Sequence, residues 1–565
     1  MGRARTAAIA AALILLGAVI VALGRTMLGG WHATGDHAVL QMRALDVGGA
    51  HNPLLGPYSR YGWSHPGPAL FYALAPTLRL FGGHDIGMLA GAVVINALAL
   101  AAVFAATWRR RDAAALVIVV LVAAVLVRAH GGSALFDPWN PNVIVLPLLA
   151  AAVCAWTAAA GSRWALAATV VFASFVAQTH IGAAPAALAL VLFAFAWVGY
   201  DAWRGRGDDR RRRLTTIAIA IGVGFVVWLP PIVQAVTTGG GNLRDIWDFW
   251  SASNPVTGFA QGARLVSPQF AIPAPWMGAH EHTALGGALV PSANRVPVAL
   301  ILLAVVTILA ARRRDRRALT LCTLAIALAA ATWIAASRIV GIPYPYLLRW
   351  AWVAGAVTWL AILWTGWRLI PKQQHRARNT ATALVAVGAC VLALFVVVNA
   401  ARASYPVQLE SAAIDHVRRP AIDAMHNAPG PILLDSGGSL RSAGIATGLL
   451  LEATRAALPA RVRPALAYRV GKQRTLSGEP ATVIYVASDV EVAPLLRDPS
   501  YRLLARYDSL SAAQRRELER LLALVDGRIE NLVALKRDHR RDYDRLLDLE
   551  ARGADVAVFM RRQSP

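Results

Sequence analysis

The sequence contains little charge and little cysteine. Only 16% of its 565 residues are Asp, Glu, Lys or Arg, whereas soluble domains average about 25%. The three cysteines, Cys154, Cys322 and Cys390, all lie inside apolar runs and are interpreted as small packing residues. These shortages exclude a disulfide-rich secreted scaffold, and no Cys/His metal site is predicted.

The missing charge is concentrated in residues 1–400, where apolar runs alternate with short polar breaks. Runs of about 15–22 residues match the thickness of a bilayer when they are helical, and a helix satisfies its own backbone hydrogen bonds. The sequence therefore predicts a polytopic all-α membrane protein with about eleven transmembrane helices. They are expected near residues 7–23, 86–107, 113–129, 143–160, 164–180, 182–200, 215–235, 296–311, 318–336, 350–369 and 380–400.

The formal net charge of +24 reflects membrane topology. The basic residues fall in short loops between apolar runs, and no basic face with interleaved aromatics indicates nucleic-acid binding. Basic loops face the cytoplasm, so the N-terminus is predicted inside and the C-terminal end outside. The apolar segment 65–81 is then an interfacial or re-entrant helix on the outer face. The predicted cytoplasmic loops are Trp108–Arg111, Gly161–Arg163, Arg204–Arg213, Arg312–Arg317 and Lys372–Arg378.

Residues 401–565 regain charge and have shorter apolar runs, which predicts an extracytoplasmic α/β domain. Helices are expected over 440–457 and 511–550, the second with leucines at helical spacing and a capping box from Ser511 to Gln514. The turn Asp435–Ser439 could hold a polar ligand, although an ordinary tight turn is the commoner reading. Strands are expected at Ile432–Leu434, Thr482–Val486, Tyr501–Tyr507 and Val556–Phe559.

The first outside loop, residues 28–85, holds four candidate site residues. Asp36 and His37 follow the first helix, and Arg60 and His65 lie further on among glycines, prolines and aromatics. Such a composition holds a loop in a defined shape. Taken alone, Asp36 is better explained as a solvated loop residue or a helix cap.

Further candidates end or follow later apolar runs. His130 and Asp137 lie in the second outside loop, and His180 ends the run that begins near residue 164. Asp137 precedes Pro138, and an Asp-Pro pair favours turn initiation, so a capping role is the alternative to a chemical one. Polar groups such as His180 are also tolerated at a membrane boundary without any function.

A late outside loop carries Arg338, Tyr344, Tyr346 and Arg349. Two arginines in an outer loop are unexpected, because basic residues are usually enriched in cytoplasmic loops. Arginine binds phosphate oxygens well, and snorkelling toward lipid headgroups is the alternative. Acids, histidines, arginines and aromatics thus gather on the outer face of the predicted helical body. This arrangement indicates a site open to a lipid-borne substrate.

Five segments carry a resemblance to a known family over residues 1–400. They are Gly35-Asp36, Trp63–Tyr72, Asp137–Pro141, Gln178–His180 and Trp228–Pro231. The chain resembles the C-type glycosyltransferases, polytopic enzymes that use polyprenyl-phosphate-linked sugars on the extracytoplasmic side. Relatives include protein mannosyltransferases, aminoarabinose transferases of lipid A and cell-wall arabinofuranosyltransferases.

The resemblance implies an inverting transferase of the bacterial plasma membrane that acts in cell-envelope biogenesis. Its acceptor would be an envelope glycan, a lipid or a protein. Asp36 matches the family's general base, and Asp137 matches the second acid, which holds a divalent cation or the acceptor. Arg338 or Arg349 would neutralise the phosphate of the donor. The substrate-binding candidates are His37, Arg60, His65, His130, His180, Tyr344 and Tyr346.

Two other classes of function are compatible with the sequence. One is a transporter or flippase of lipid-linked envelope precursors, which would show inverted repeats and ionisable residues near the middle of the membrane. The other is a non-catalytic membrane assembly protein that keeps the same fold. Because one fold serves many functions, the fold alone does not decide between them.

Overall fold

The computed structural model describes residues 2–109, 112–281, 283, 288–290, 295–371, 373–526 and 528–561. Arg110, Arg111 and Lys372, from the predicted basic loops, lie outside these residues. The chain forms two compact units. The membrane unit comprises Met1–Leu28, Pro53–Thr77 and Gly87–Ser404, and the C-terminal unit comprises Gly29–Asn52, Leu78–Ile86 and Tyr405–Pro565.

The chain up to Ser404 is mainly helical, and α2, the end of α3 and the start of α4 belong to the C-terminal unit. The helices are α1 (Gly2–Thr26), α2 (Gly35–Leu45), α3 (Ala69–Leu80), α4 (Asp85–Trp108), α5 (Ala113–His130), α6 (Asn140–Val143), α7 (Val145–Ala159), α8 (Arg163–Thr179), α9 (Ala184–Arg204), α10 (Gly207–Thr237), α11 (Gly241–Ser251), α12 (Phe259–Val266), α13 (Val298–Arg312), α14 (Arg316–Ser337), α15 (Pro345–Leu348), α16 (Trp352–Leu369) and α17 (His375–Ala401).

Each of the eleven apolar runs predicted to span the membrane forms a helix. Among the described residues, nine segments are long and apolar enough to cross a bilayer. Helices α8 and α13 have 17 and 15 residues, and 15 residues extend only about 22 Å against a hydrocarbon core of about 30 Å. The segment after Pro68 is helical as predicted, over Ala69–Leu80. The protein is a multi-pass membrane protein.

One end of the membrane unit collects the arginine-rich turns. Asp201, near the end of α9, pairs with Arg213 of α10 at 3.1 Å and with Arg316 at the start of α14. Arg368, near the end of α16, pairs with Asp315 at 2.7 Å. The predicted basic loops Arg204–Arg213 and Arg312–Arg317 therefore lie together, next to the end of α16.

The opposite end of the membrane unit carries the loops with most of the predicted site residues. His130 ends α5, and its ring lies 6.0 Å from that of Trp352, where α16 begins. Gly132 lies against the end of α17, since a methyl group on Gly132 would be 2.3 Å from the carbonyl oxygen of Asn399. We call this the polar end of the membrane unit. Which side of the membrane it faces stays a prediction.

The C-terminal unit is an α/β domain with a five-stranded sheet in the order β2-β1-β3-β5-β4. Strands β2, β1 and β3 are parallel, and β5 runs antiparallel to both β3 and β4. All four predicted strands are present. The elements are α18 (Gln408–His426), β1 (Ile432–Ser436), α19 (Leu440–Arg455), β2 (Ala460–Arg461), α20 (Ala467–Val470), β3 (Thr482–Ser488), α21 (Val492–Arg497), β4 (Tyr501–Asp508), α22 (Ala512–Val525), α23 (Ile529–Asp538), α24 (Arg540–Arg552) and β5 (Asp555–Arg561).

The segment predicted to be helical over 511–550 contains three helices, α22, α23 and α24. Asp526 ends α22 in the left-handed conformation, with φ at 48°. A continuous helix over the whole segment would extend about 60 Å and leave its leucine stripe exposed. Folding back instead buries Leu518 and Leu521 of α22 against Leu546 and Leu549 of α24. The predicted capping box at Ser511 and Gln514 is confirmed.

This leucine cluster provides a test of the C-terminal unit. Leu549 is fully buried, whereas Leu547 on the same helix is 41% exposed. We expect Leu549→Ala to destabilise the unit by about 2–5 kcal/mol, because it removes buried apolar contacts and leaves a cavity. Leu547→Ala should cost less than about 0.5 kcal/mol. Thermal unfolding of the purified protein measures both, and equal losses would contradict the three-helix packing.

Candidate functional site

A small hairpin-like loop forms one wall of the polar end. Ser59 N–H donates to the Trp63 carbonyl oxygen at 2.8 Å, and Gly56 N–H donates to that of His65 at 2.9 Å. The Arg60 guanidinium crosses to the late loop and donates to the carbonyl oxygen of Val340 at 2.8 Å. The loop is therefore ordered by main-chain bonds, and its predicted substrate-binding arginine is held against the loop that follows α14.

Aromatic rings connect this wall to the second outside loop. Arg60 lies 5.7 Å from the ring centre of Tyr344, and Tyr344 stacks on Tyr346 with ring centres 5.8 Å apart. Tyr346 in turn lies 5.4 Å from Trp139. The two predicted tyrosines thus lie in one row of rings, a surface suited to the apolar face of a sugar or a prenyl group.

Asp137 caps a turn at the start of α6. Its carboxylate accepts hydrogen bonds from Trp139 N–H at 2.9 Å and from the Asn142 side-chain amide at 2.7 Å. The side chain is only 7% exposed. The turn-capping role that the Asp-Pro pair predicts is therefore present, and any role in chemistry adds to it.

Arg349 lies in a partly buried cluster with an acid that the sequence analysis missed. Glu281 accepts a hydrogen bond from Trp352 Nε1 at 3.1 Å, and its other oxygen is 3.7 Å from Arg349 Nη2. Arg349 also lies 4.5 Å over the Trp352 ring. The ring of His130 packs against that same tryptophan from α5. We call Glu281, Arg349, Trp352 and His130 the arginine cluster.

Two of its polar atoms are buried without a hydrogen-bond partner among the described residues: Arg349 Nε and His130 Nδ1. A buried donor of a charged group without a partner is costly. The Glu281 carboxylate and the Trp352 ring thus orient Arg349, while its Nε–H remains available to hydrogen-bond a ligand. Such an arginine suits an oxyanion, since its fork matches a phosphate.

His65 and His180 form a buried, stacked pair with ring centres 5.3 Å apart. Ile181 N–H donates to His65 Nδ1 at 3.2 Å, and the Asn140 amide lies 3.2 Å from Nε2. Burial and the neighbouring His180 lower the pKa of His65 well below its usual range. The pair joins the first loop to the ends of α8 and α6 as neutral rings.

Arg338 is exposed at the end of α14, apart from the arginine cluster. It lines a shallow groove with Phe249, Trp250 and Val340. The groove borders the Arg60 loop, because Tyr61 donates to the Val340 carbonyl oxygen at 2.5 Å. Of the two predicted phosphate-binding arginines, Arg349 is therefore the better ordered.

Asp36 and His37 belong to the C-terminal unit, on the first turn of α2. Asp36 is half-buried and His37 is buried, with its ring 5.6 Å from that of Trp31. The sequence does not predict α2. The helix begins after Thr34, whose extended backbone is typical of a residue preceding a helix.

An apolar groove of about 320 Å³ lies between spans of the membrane unit. Its walls come from α5, α16 and α17 and from the turn Pro275–Met277. Arg128 lines it two residues before His130, and Trp359 lines it two helical turns from Trp352 along α16. The groove therefore begins near the level of the arginine cluster and runs inward along the same two helices.

The glycine-rich turn Asp435–Ser439 does not offer an open ligand cradle. Glu491 fills it, accepting hydrogen bonds from Ser439 N–H and Ser488 N–H, both at 3.1 Å. A methyl group on Gly437 would be 2.1 Å from the Glu491 carboxylate. The anion position of this turn is thus taken by the chain's own side chain, which supports the tight-turn reading.

One group in the C-terminal unit could hold a metal ion. His32, Asp85 and Glu452 each offer a ligand atom, and these atoms lie within 4.8 Å of one another. Arg455, however, donates to Asp85 at 2.6 Å and pairs with Glu452. Since the guanidinium already neutralises these carboxylates, no metal is assigned here.

Comparison with solved structures identifies the architecture. Two crystal structures of ArnT from Cupriavidus metallidurans, one bound to undecaprenyl phosphate and one in the apo state, align with the chain at a TM-score of 0.50. Each alignment covers 87% of this chain, with 96% and 95% of those chains and 13% and 12% sequence identity. The protein has the ArnT fold. No protein-family model and no curated protein sequence matches it.

The likeness to ArnT confirms the predicted fold class, a polytopic helical membrane protein with a C-terminal α/β domain. In this fold the structure brings eight predicted site residues together at the polar end: Arg60, His65, His130, Asp137, His180, Tyr344, Tyr346 and Arg349.

Sequence reasoning missed Glu281 and Arg128. Glu281 lies between two histidines in the sequence, in the long segment after α10. An acid flanked by histidines in an outside loop was the available signal. Arg128 was hidden near the end of an apolar run, where an arginine is usually interpreted as snorkelling.

The buried histidine pair predicts a pH dependence. Between the lowered pKa of His65 and its ordinary value of about 6.5, the unfolded chain binds more protons than the folded one, so stability falls as the pH drops below about 6.5. His65→Asn keeps a hydrogen-bond acceptor for Ile181 N–H and does not titrate. We expect a smaller decrease in melting temperature from pH 8 to pH 5 in that variant than in the parent or in the exposed-site control His84→Asn. Identical pH profiles in all three proteins would contradict this assignment.

Proposed function

We propose that the protein is a membrane glycosyltransferase that moves a sugar from a polyprenyl-phosphate donor to an extracytoplasmic acceptor. One observation carries the proposal: an ArnT fold whose polar end holds Arg349 with an unpaired buried donor, above an apolar groove that runs along the same helices α5 and α16. A lipid phosphate matches both features, because its anionic head would bind the arginine and its apolar chain would lie in the groove.

In the proposed reaction the acceptor hydroxyl oxygen attacks the anomeric carbon of the donor sugar. The bond from that carbon to the phosphate oxygen breaks, and its electron pair leaves with the polyprenyl phosphate. Asp36 takes the hydroxyl proton. Aspartate is a weak base, with an ordinary pKa of about 3.9, so it accepts the proton late, once the attacking oxygen has become acidic. A single displacement inverts the anomeric carbon.

Arg349 would stabilise the leaving phosphate. Negative charge grows on the phosphate as the sugar departs, and a preoriented guanidinium stabilises that charge more than water does. Glu281 and the Trp352 ring hold Arg349. Asp137, held by the Asn142 amide, would orient the acceptor, and the aromatic row from Tyr344 to Trp139 would flank the sugar.

The apolar groove would receive the prenyl chain of the donor. It lies within the spans of α5, α16 and α17, so the prenyl chain would enter it from the bilayer. Arg128 at its outer end would attract an anionic headgroup. ArnT of Cupriavidus metallidurans, which shares the fold, has been crystallised with undecaprenyl phosphate.

The distribution of arginines between the two ends of the membrane unit supports an orientation in the membrane. The arginine-rich end of the membrane unit would face the cytoplasm and the polar end the opposite side. The C-terminal domain would then be extracytoplasmic, as the odd number of predicted spans requires. The acceptor would be a glycan, lipid or protein of the cell envelope.

The central test is sugar transfer from labelled polyprenyl-phosphate sugars by the purified protein in lipid nanodiscs. We expect Asp36→Asn to lower kcat by roughly 10²–10⁴-fold, because the general base is lost. Arg349→Gln should lower kcat by about 10²–10³-fold, since a charged donor to the leaving group is lost. Normal yield and melting temperature establish that these variants are folded.

Outcomes that contradict the proposal are specific. Full turnover by Asp36→Asn would remove Asp36 as the base, and parallel assays of Asp137→Asn and Glu281→Gln would show whether another acid serves. If the parent carries lipid-linked sugar across the membrane of a proteoliposome without transferring it, the transporter reading replaces this one.

The groove has its own test. Val125→Trp fills the apolar groove, whereas Leu188→Trp adds the same ring at a leucine that is 57% exposed on α9, outside the groove. We expect Val125→Trp to raise the KM for the donor about tenfold or more, because a blocked chain loses several buried methylene contacts. Its kcat at saturation should change little, and Leu188→Trp should match the parent. Equal KM values in the two variants would exclude the groove as the chain site.

A further inference from the structure

The helix that carries Asp36 is built into the C-terminal domain. Residues 29–52 belong to the C-terminal unit, although the long membrane segment Gly87–Ser404 separates them in sequence from Tyr405–Pro565 of that unit. Helix α2 packs on α19 at glycines: a methyl group on Gly444 would be 3.7 Å from the Cα of Gly35. This is an ordinary van der Waals distance, so the two helices meet here with room for a methyl group.

The segment just before α2 is tied to α18 and α19. Trp31 Nε1 donates to the Pro406 carbonyl oxygen and His32 N–H to Ser411 Oγ, both at 2.8 Å. A methyl group on Gly448 would be 3.0 Å from the Ala33 carbonyl oxygen and 3.3 Å from Thr34 Cγ2. The residues that set the start of α2 therefore touch the domain directly.

The other end of α2 is held by a buried ion pair. Asp46 accepts two hydrogen bonds from Arg474, at 2.9 and 2.8 Å, and both side chains are over 90% buried. Gln473 donates to the same carboxylate at 2.9 Å and Arg43 at 3.0 Å. Removing either member of such a pair leaves an uncompensated buried charge, so this contact does not slip easily.

The middle of α2 is buried as well. Val39, Leu40 and Met42 are each at most 3% exposed, and Gln41 donates to the Gly83 carbonyl oxygen at 3.0 Å. The helix spans only three turns, Gly35–Leu45, and an isolated helix this short is marginal in water. Helix α2 thus owes its shape to the domain.

We propose that the C-terminal domain is a positioning scaffold for Asp36, with Gly448, Ser411 and Arg474 as positioning residues. The inference rests on the proposed role of Asp36 as general base. A base works only when it is held in the productive geometry, and a misplacement of about 1 Å can cost about 10²-fold in rate. The domain meets that need by clamping both ends of an otherwise marginal helix.

The test compares two alanine substitutions one turn apart on α19. Both add the same methyl group and the same helix propensity. Gly444→Ala has room, at 3.7 Å, whereas Gly448→Ala presses at 3.0 Å on a backbone carbonyl. We expect Gly448→Ala to lower kcat roughly tenfold or more, with the KM for the donor within about twofold because Asp36 does not bind the prenyl chain. Gly444→Ala should match the parent.

Hydrogen–deuterium exchange gives a readout that is independent of activity. In Gly448→Ala the amides of residues 33–40 should exchange faster than in the parent, while those of α24 are unchanged. A milder variant, Ser411→Ala, removes only the hydrogen bond from His32 and should shift both kcat and exchange in the same direction by a smaller amount. It serves if Gly448→Ala fails to fold.

The outcomes separate this inference from the proposed function. If Asp36→Asn abolishes transfer but Gly448→Ala and Ser411→Ala exchange faster at α2 with unchanged kcat, the scaffold role is overturned and the base remains. If Asp36→Asn retains full activity, the base itself is overturned. An equal loss of kcat in both glycine variants would also overturn the scaffold role, since Gly444→Ala leaves the contacts that hold α2 intact.

Discussion

The requirement that every backbone polar group within a bilayer be hydrogen-bonded is the constraint on which this structure depends. It forces each apolar run of the membrane unit into a helix. It also restricts polar chemistry to the ends of those helices, where loops meet water. The arginine-rich turns collect at one end of the membrane unit and the acids, histidines and aromatic rings at the other.

The polar end relies on rigid support. Main-chain hydrogen bonds order the loop around Arg60, a neutral histidine pair joins that loop to two helix ends, and Asp137 caps its own turn. Each of these contacts satisfies groups that would be costly to bury alone. Some buried polar atoms of this end have no partner among the described residues, including Trp63 Nε1, His180 Nδ1 and Arg349 Nε. Arg349 Nε is the one that carries positive charge, and an unpaired cationic donor suits an anionic ligand.

The division into two units changes the role expected of the C-terminal domain. In the sequence, this domain follows the last span as a separate segment. In the structure it contains residues 29–52 and therefore helix α2, which is held by backbone contact at one end and by the Asp46–Arg474 pair at the other. A domain that includes the candidate base in its own fold is part of the catalytic apparatus under the proposed function.

The sequence by itself determined the features that depend on local periodicity and composition: the apolar helices, the separation of charge between loops and the four main strands. Only the tertiary structure decided that Asp36 resides in the C-terminal unit, that Glu281 accompanies Arg349, that Glu491 fills the glycine-rich turn and that the 511–550 segment folds back on itself. The physical reason is the separation in sequence between the residues that interact. A helix or strand follows from neighbours a few residues apart, whereas these contacts join residues tens to hundreds of positions apart, and no local pattern records which partner a buried polar or apolar group will meet.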